Sequence, residues 1–300
     1  MELKPNPFSF YDFLGYFTPG ALAIYGGMII WGHMSGPISI DQAIRKLSFE
    51  DPKAYIPFVL LAYLLGHLLS FLSSVIVEKY AIWSCGYPSR FLLQFDVAGY
   101  WDVKSKRERA VRGFVGFLLL PIALLDVTVG YLLYLRNLYS RELDAELISI
   151  IKVKIESLIK NRGQIPNQKQ YRLEKDHDFF RYVYHYAVEH AHNHLPKMQN
   201  YVALYGFLRT ISLIFVIAWW LIAGHMVHRL YRIWVGDDPN WIALTVALAV
   251  FAALSYVSYM GFMKFYRRFS LEALMAVSAV YQAESNSALQ RTRRNNAPRR

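Results

Sequence analysis

The stretch from Ile211 to Met263 most narrows what this chain can fold into. It holds two apolar runs of about 20 residues each, enough at about 1.5 Å per residue to cross about 30 Å of hydrocarbon. Between them stands Gly236-Asp237-Asp238-Pro239-Asn240, a turn that neither helix can continue through. The second run has no charged residue from Trp241 to Met263. Lipid offers no partner for a bare peptide group, so two such runs joined this tightly predict a transmembrane helical hairpin. Lys264, Arg267 and Arg268 follow it, and Arg209 precedes it. Positive charge beside short spans favours the cytoplasmic side, which puts Lys264 onward inside and Asp237-Asp238 outside. Arg229 and Arg232 then snorkel to the outer headgroups.

The rest of the composition agrees. A chain of 300 residues that is 55% hydrophobic and 16% aromatic yet carries a formal charge of +11 fits a membrane protein with basic cytosolic parts. Its single cysteine, Cys85, excludes an intramolecular disulfide. The opening MELKPNPFSFYDF lacks a basic region followed by a small-residue cleavage site, so the first apolar segment is expected to stay as an anchor.

Three more apolar segments precede the hairpin, near 8–33, 56–77 and 114–135, within an N-terminal membrane region 1–135. The first is interrupted by Asp12 and by Pro19-Gly20; it is either a re-entrant gate with Asp12 facing water or an amphipathic entry turn and a spanning helix. In the second, spacings of three and four align His67, Ser70, Ser74 and Glu78 on one face. Such a stripe either turns toward an aqueous path or packs small faces together. The third carries Pro121 and Asp126 near its middle. It follows the basic stretch Lys104–Arg112, which belongs inside by charge and outside if every segment crosses. Four crossings with a re-entrant third segment, or five crossings, both remain open.

Residues 136–207 form a cytosolic insert, 208–263 the hairpin, and 264–300 a C-terminal helix with a basic tail expected to be disordered. Within ELDAELISIIKVKIESLIKN, Leu143, Leu147, Ile150, Ile151, Ile155 and Leu158 recur with a helical period. The architecture expected is all-α and polytopic, with four to five transmembrane helices.

Catalytic motifs are absent: no phosphate loop, nucleophile elbow, kinase set or dinucleotide fingerprint occurs, so neither an enzyme nor a cofactor is expected. His185, Glu189, His190 and His194 offer weak metal candidates, with pairs four apart on a helix, but H-E-x-x-H is missing and no cysteine helps. Histidines before Pro196 suit an exposed helix end equally. The insert's basic residues include Lys169, Arg172, Lys175, Arg181 and Lys197, interleaved with tyrosines at 171, 182, 184 and 186. Cations and aromatic faces suit a nucleotide or single-stranded DNA; the same charge suits an anionic lipid surface.

Phe10-Tyr11-Asp12-Phe13-Leu14-Gly15-Tyr16 with Pro19-Gly20, the Tyr201–Arg209 entry, and Phe265-Tyr-Arg-Arg268 resemble a family of bacterial membrane proteins. The chain looks similar to transmembrane effectors of bacterial anti-phage systems, including the Hailong type. That resemblance implies a channel in the bacterial inner membrane, restrained by single-stranded DNA that a nucleotidyltransferase makes. A homo-oligomeric channel or membrane-permeabilising effector is therefore expected, with Asp12, His67, Ser70, Ser74, Glu78 and Asp126 as its lining. A membrane anchor for a cytosolic defence partner is the alternative, and a metal-dependent membrane enzyme the third.

Overall fold

The computed structural model describes residues 12–35, 55–97, 99–162, 171–176, 178–232 and 241–295. Lys169, the 236–240 turn, the linker from 36 to 53 and the last five residues lie outside these. A π-helical turn, Phe13–Phe17, leads into α1, Thr18–Ser35. Helix α2, Tyr55–Ser73, passes through a second π turn, Ser74–Glu78, into α3, Lys79–Cys85. Short α4, Pro88–Phe91, precedes α5, Lys106–Leu118, and α6, Leu120–Leu125, which ends in a third π turn, Asp126–Gly130. Helices α7, Ala145–Arg162, and α8, Phe179–His190, lead to α9, Leu195–Arg232, and α10, Trp241–Asn295.

The fold is all-α, with no strand among the described residues. Four helices are long and apolar enough to cross a membrane, or up to five if one bent pair counts as a span, making this a multi-pass membrane protein. The bent pair is the segment that the sequence left open: Lys106–Leu118 and Leu120–Gly130 meet at 88°. Pro121 in the first turn of α6 cannot donate to the α5 ladder, and Leu119 leaves helical geometry at φ −94°, ψ 25°. Neither arm alone reaches about 30 Å. A carbonyl freed at the bend, that of Leu118, accepts from the Trp220 indole at 2.8 Å.

The chain divides into two compact units. The first comprises Met1–Ser84, Gly99–Tyr139 and Ala203–Lys264. Here α1 and α2 cross backbone to backbone through two glycines. A Cβ on Gly20 would stand 1.8 Å from the Ala62 carbonyl oxygen, and one on Gly66 1.8 Å from that of Tyr16. Small residues permit this approach where no hydrophobic force drives helices together. Leu69, Ile211 and Ile214 form an apolar contact beside it.

The second unit comprises Cys85–Ala98, Ser140–Val202 and Phe265–Arg300. Its core is aliphatic and aromatic: Ile151, Ile155 and Leu158 of α7, Val183 of α8 and Val277 of α10 are wholly buried. The α7 period is shifted from expectation. Ile148 is buried while Ile150 is 49% exposed, and Leu143 lies ahead of the helix, which starts at Ala145. Lys154 Nζ donates to the Ser278 carbonyl at 2.8 Å, and the Ser157 and Tyr281 hydroxyls lie 3.2 Å apart, tying α7 to α10. Phe95 joins by an edge contact with Phe179. Gly86, at φ +77°, turns the chain where a side chain would strike Val97. Helix α10 continues to Asn295, past the point near Ala283 where the sequence predicted loss of order. Ala288, Leu289, Gln290 and the three arginines of that stretch have high helix propensity, which the loss of apolar period does not cancel.

Candidate functional site

The first unit concentrates its chemistry at the π turns. A π turn closes i→i+5 bonds instead of i→i+4, so it displaces every later residue from the face that a 3.6 period assigns. In α2, ahead of its π turn, the buried face is Ala62, Gly66, Leu69 and Ser73, already one residue off the predicted stripe. Ser73, outside the predicted stripe, is fully buried; its hydroxyl donates to the Ser70 carbonyl at 2.8 Å and lies 3.3 Å from Thr210 Oγ1. Arg209 Nε donates to Ser73 Oγ at 3.1 Å, and its terminal nitrogens reach the Glu78 carboxylate and the Ser70 carbonyl. Glu78 is thus an ion-paired group inside the unit, with its side chain 22% exposed and that of Arg209 11%. Ser74 turns its hydroxyl back to the Phe71 carbonyl at 2.7 Å.

His67 stands apart. It is exposed on α2, its ring stacked on Tyr16 at 3.8 Å and 17° and met edge-on by Tyr63 at 4.5 Å. Leu60, Leu64, Leu68 and Phe71 around it are all more than half exposed. Asp12 is half-buried at the head of the first π turn.

Asp126 is the deepest charge. It is 0% exposed, and Arg136 holds it through Nη2 at 2.5 Å and Nε at 3.3 Å. Tyr139, itself fully buried, donates its hydroxyl to Oδ1 at 2.7 Å. Gly130 closes the third π turn beneath the Tyr256 hydroxyl, which a Cβ there would meet at 2.4 Å. Tyr259 lies with its ring 6.2 Å from that of Tyr139. Asp126 therefore sits inside the protomer, locked to Arg136, and not on an open path through it. Bidentate Arg–carboxylate geometry with a third donor is what a charge in a low-dielectric interior requires.

A pocket of about 270 Å³ lies between α1, α2, α9 and α10, lined by Leu22, Gly26, Leu69, Phe215 and Phe251 among others. Its walls are hydrocarbon, which suits an acyl chain and not water.

Arg112 ends the basic stretch Lys104–Arg112 inside the unit. It is buried, donates to the Tyr100 carbonyl at 2.7 Å, pairs with Glu108 at 2.7 Å and lies over the Trp83 ring at 5.2 Å. Arg109 likewise donates to the Val103 carbonyl at 3.1 Å.

The second unit holds the candidate ligand cations. Arg172 and Lys175 are exposed around the one-turn helix Leu173–Lys175. Exposed Arg181 faces Asp178 at 3.6 Å, and exposed Lys197 lies 3.9 Å from Glu272. Tyr171 donates to Asp176 at 2.7 Å, and burial followed by that bond pushes its phenol above the usual range. The histidines do not converge. His190 stacks on Tyr186 at 4.2 Å and His194 Nδ1 meets Glu272 Oε1 at 2.7 Å, while His185 and Glu189 are exposed. Among the described residues no three of His, Cys, Asp and Glu gather as a metal site.

Sequence reasoning missed Arg209, Ser73, Thr210, Arg136 and Tyr139. By sequence alone Arg209 reads as a flanking charge. The available signal was Glu78, an acid ending one apolar run, facing an arginine that opens another. Compared with protein-family models, curated proteins and solved structures, the chain matches none.

Proposed function

We propose that the protein is a membrane channel or membrane-permeabilising effector of the bacterial inner membrane, acting as a homo-oligomer in anti-phage defence. An anionic ligand, nucleotide or single-stranded DNA, binds its cytosolic part and gates it. The observation that carries the channel reading is His67, a polar ring exposed among exposed leucines on a helix long enough to span. A polar group at that depth faces a bundle interior or water more often than lipid, so a second copy is its natural cover. The protomer's own polar groups, Glu78 and Asp126, are occupied by Arg209 and Arg136. A conducting path then belongs to the assembly, lined by the His67 face with Asp12, Ser70 and Ser74, and opening requires one of the pairs to part. Defence and the DNA ligand rest on the sequence resemblance.

Purified protein in planar bilayers tests this. Stepwise conductance is expected, altered by His67→Ala and raised by Glu78→Gln, which releases Arg209. A parent without conductance, delivered by vesicles in which the protein is inserted and folded, overturns the channel reading. The second unit, with its own aliphatic core, then favours the alternative of a membrane anchor for a cytosolic partner.

A further inference from the structure

Where the apolar run of α10 ends, Arg267 and Arg268 follow about one turn past Met263, and in the second unit Arg267 meets Arg141. Arg267 Nε donates to the Arg141 carbonyl at 2.9 Å, and Arg267 is close enough to feel the charges of both Arg141 and Arg268. Arg268 lies with its guanidinium 5.7 Å from the Phe265 ring centroid. Arg141 and Arg268 are exposed and Arg267 is half-buried.

Among the described residues none of the three has a carboxylate within ion-pairing distance. The acid next in the chain, Glu142, accepts instead from the Gln94 amide. Arg112, Arg136, Arg181 and Arg209 each have an acidic partner, whereas these three, like exposed Arg172, have none among the described residues. Half-buried Arg267 feels two like charges with no anion to offset them, and its half-burial raises that cost. Planar guanidinium forks match a phosphate's oxygens in pairs, and in the chain the two arginines come directly after an apolar run long enough to cross a membrane.

We propose that Arg141, Arg267 and Arg268 form a binding site for a phosphate group, supplied by an anionic lipid headgroup or by a soluble phosphate. The site is separate from Arg172, Lys175, Arg181 and Lys197, and does not depend on the channel reading.

The test is thermal unfolding of the full-length protein in neutral detergent. Dioctanoyl phosphatidylglycerol, dioctanoyl phosphatidylcholine and inorganic phosphate are titrated separately at matched ionic strength. A saturable rise in Tm with phosphatidylglycerol, absent with phosphatidylcholine and inorganic phosphate, supports the site with lipid as its source. A comparable rise with inorganic phosphate supports it with a soluble source. In either case R141Q/R267Q/R268Q is expected to raise the half-saturating concentration at least about tenfold. A charge-matched control at exposed cations outside both candidate sites, K104Q/K106Q/R107Q, stays close to the parent. If the triple variant does not purify folded, exposed Arg268→Gln alone is expected to give about a threefold rise. The proposal is overturned if the parent responds to no anion. It is also overturned if the purified variant titrates like the parent, or if the control loses as much.

Discussion

Both units have apolar cores but differ in what they expose and in the charge they bury. The first keeps Ser73, Asp126, Thr210, Ser212 and Ser255 inside while Leu60, Leu64, Phe114, Leu132 and Ile242 are exposed. The second buries Ile151, Ile155, Leu158 and Val277 and exposes Arg172, Lys175 and Arg181. Both obey one rule under two solvents. In water, apolar area removed from the surface supplies the drive, and charges stay out. In lipid that drive between helices vanishes, so close backbone approach and hydrogen-bonded polar pairs hold the bundle together. Buried serines make the point: Ser212 donates to the Ser255 carbonyl at 3.0 Å, a link between α9 and α10 that needs no greasy contact.

If the two solvents do set opposite rules, the most damaging change in the first unit is one that leaves a buried charge alone. Arg136→Ala strands Asp126, which is 0% exposed, and should cost about 4 kcal/mol in detergent unfolding. Replacing the whole pair, D126L/R136M, should recover most of it, because two apolar groups leave nothing unsatisfied. Equal damage from both variants would mean the pair is no isolated ionic lock. In the second unit the costly change is a cavity: Ile155→Ala, at a wholly buried position, should cost about 3 kcal/mol. Leu64→Ala, 68% exposed on α2, should cost far less despite removing similar hydrocarbon.

The helix crossing sharpens the contrast further. Gly66→Ala drives a methyl into the Tyr16 carbonyl and should cost about 2 kcal/mol, read as a lowered Tm. Gly27→Ala meets nothing within 4 Å and should be neutral or slightly stabilising by helix propensity. The smallest effect is an alkaline one in the second unit. The Tyr171 phenol is raised above its ordinary value of 10.0 on folding, so the folded state holds its proton longer than the unfolded state. Its contribution is complete below about pH 10 and fades as pH rises through the folded value. Tyr171→Phe should therefore flatten the fall in stability above pH 10 while changing little at neutral pH. An unchanged alkaline slope would remove Tyr171 as its source.

Much of this was legible in the chain. Apolar runs long enough to span declare the helices, because lipid permits no other use of them, and Pro121 marks the place where the third segment bends. The period-3.6 pattern also finds the α7 core to within a residue. Sequence could not find the partners. Three π turns, at Phe13–Phe17, Ser74–Glu78 and Asp126–Gly130, each shift the register of the residues beyond them, and no local pattern announces them. The stripe His67, Ser70, Ser74, Glu78 comes apart on both sides of its turn: ahead of it the inward face is Ala62, Gly66, Leu69 and Ser73, which leaves His67 outside, and at its end Glu78 goes to Arg209. Likewise Arg141 lies far along the chain from Arg267 and Arg268, and only folding brings them together. Burial length is a property of consecutive residues, and the sequence determines it; pairing of charges is a property of faces meeting in space, and the tertiary structure alone decides it.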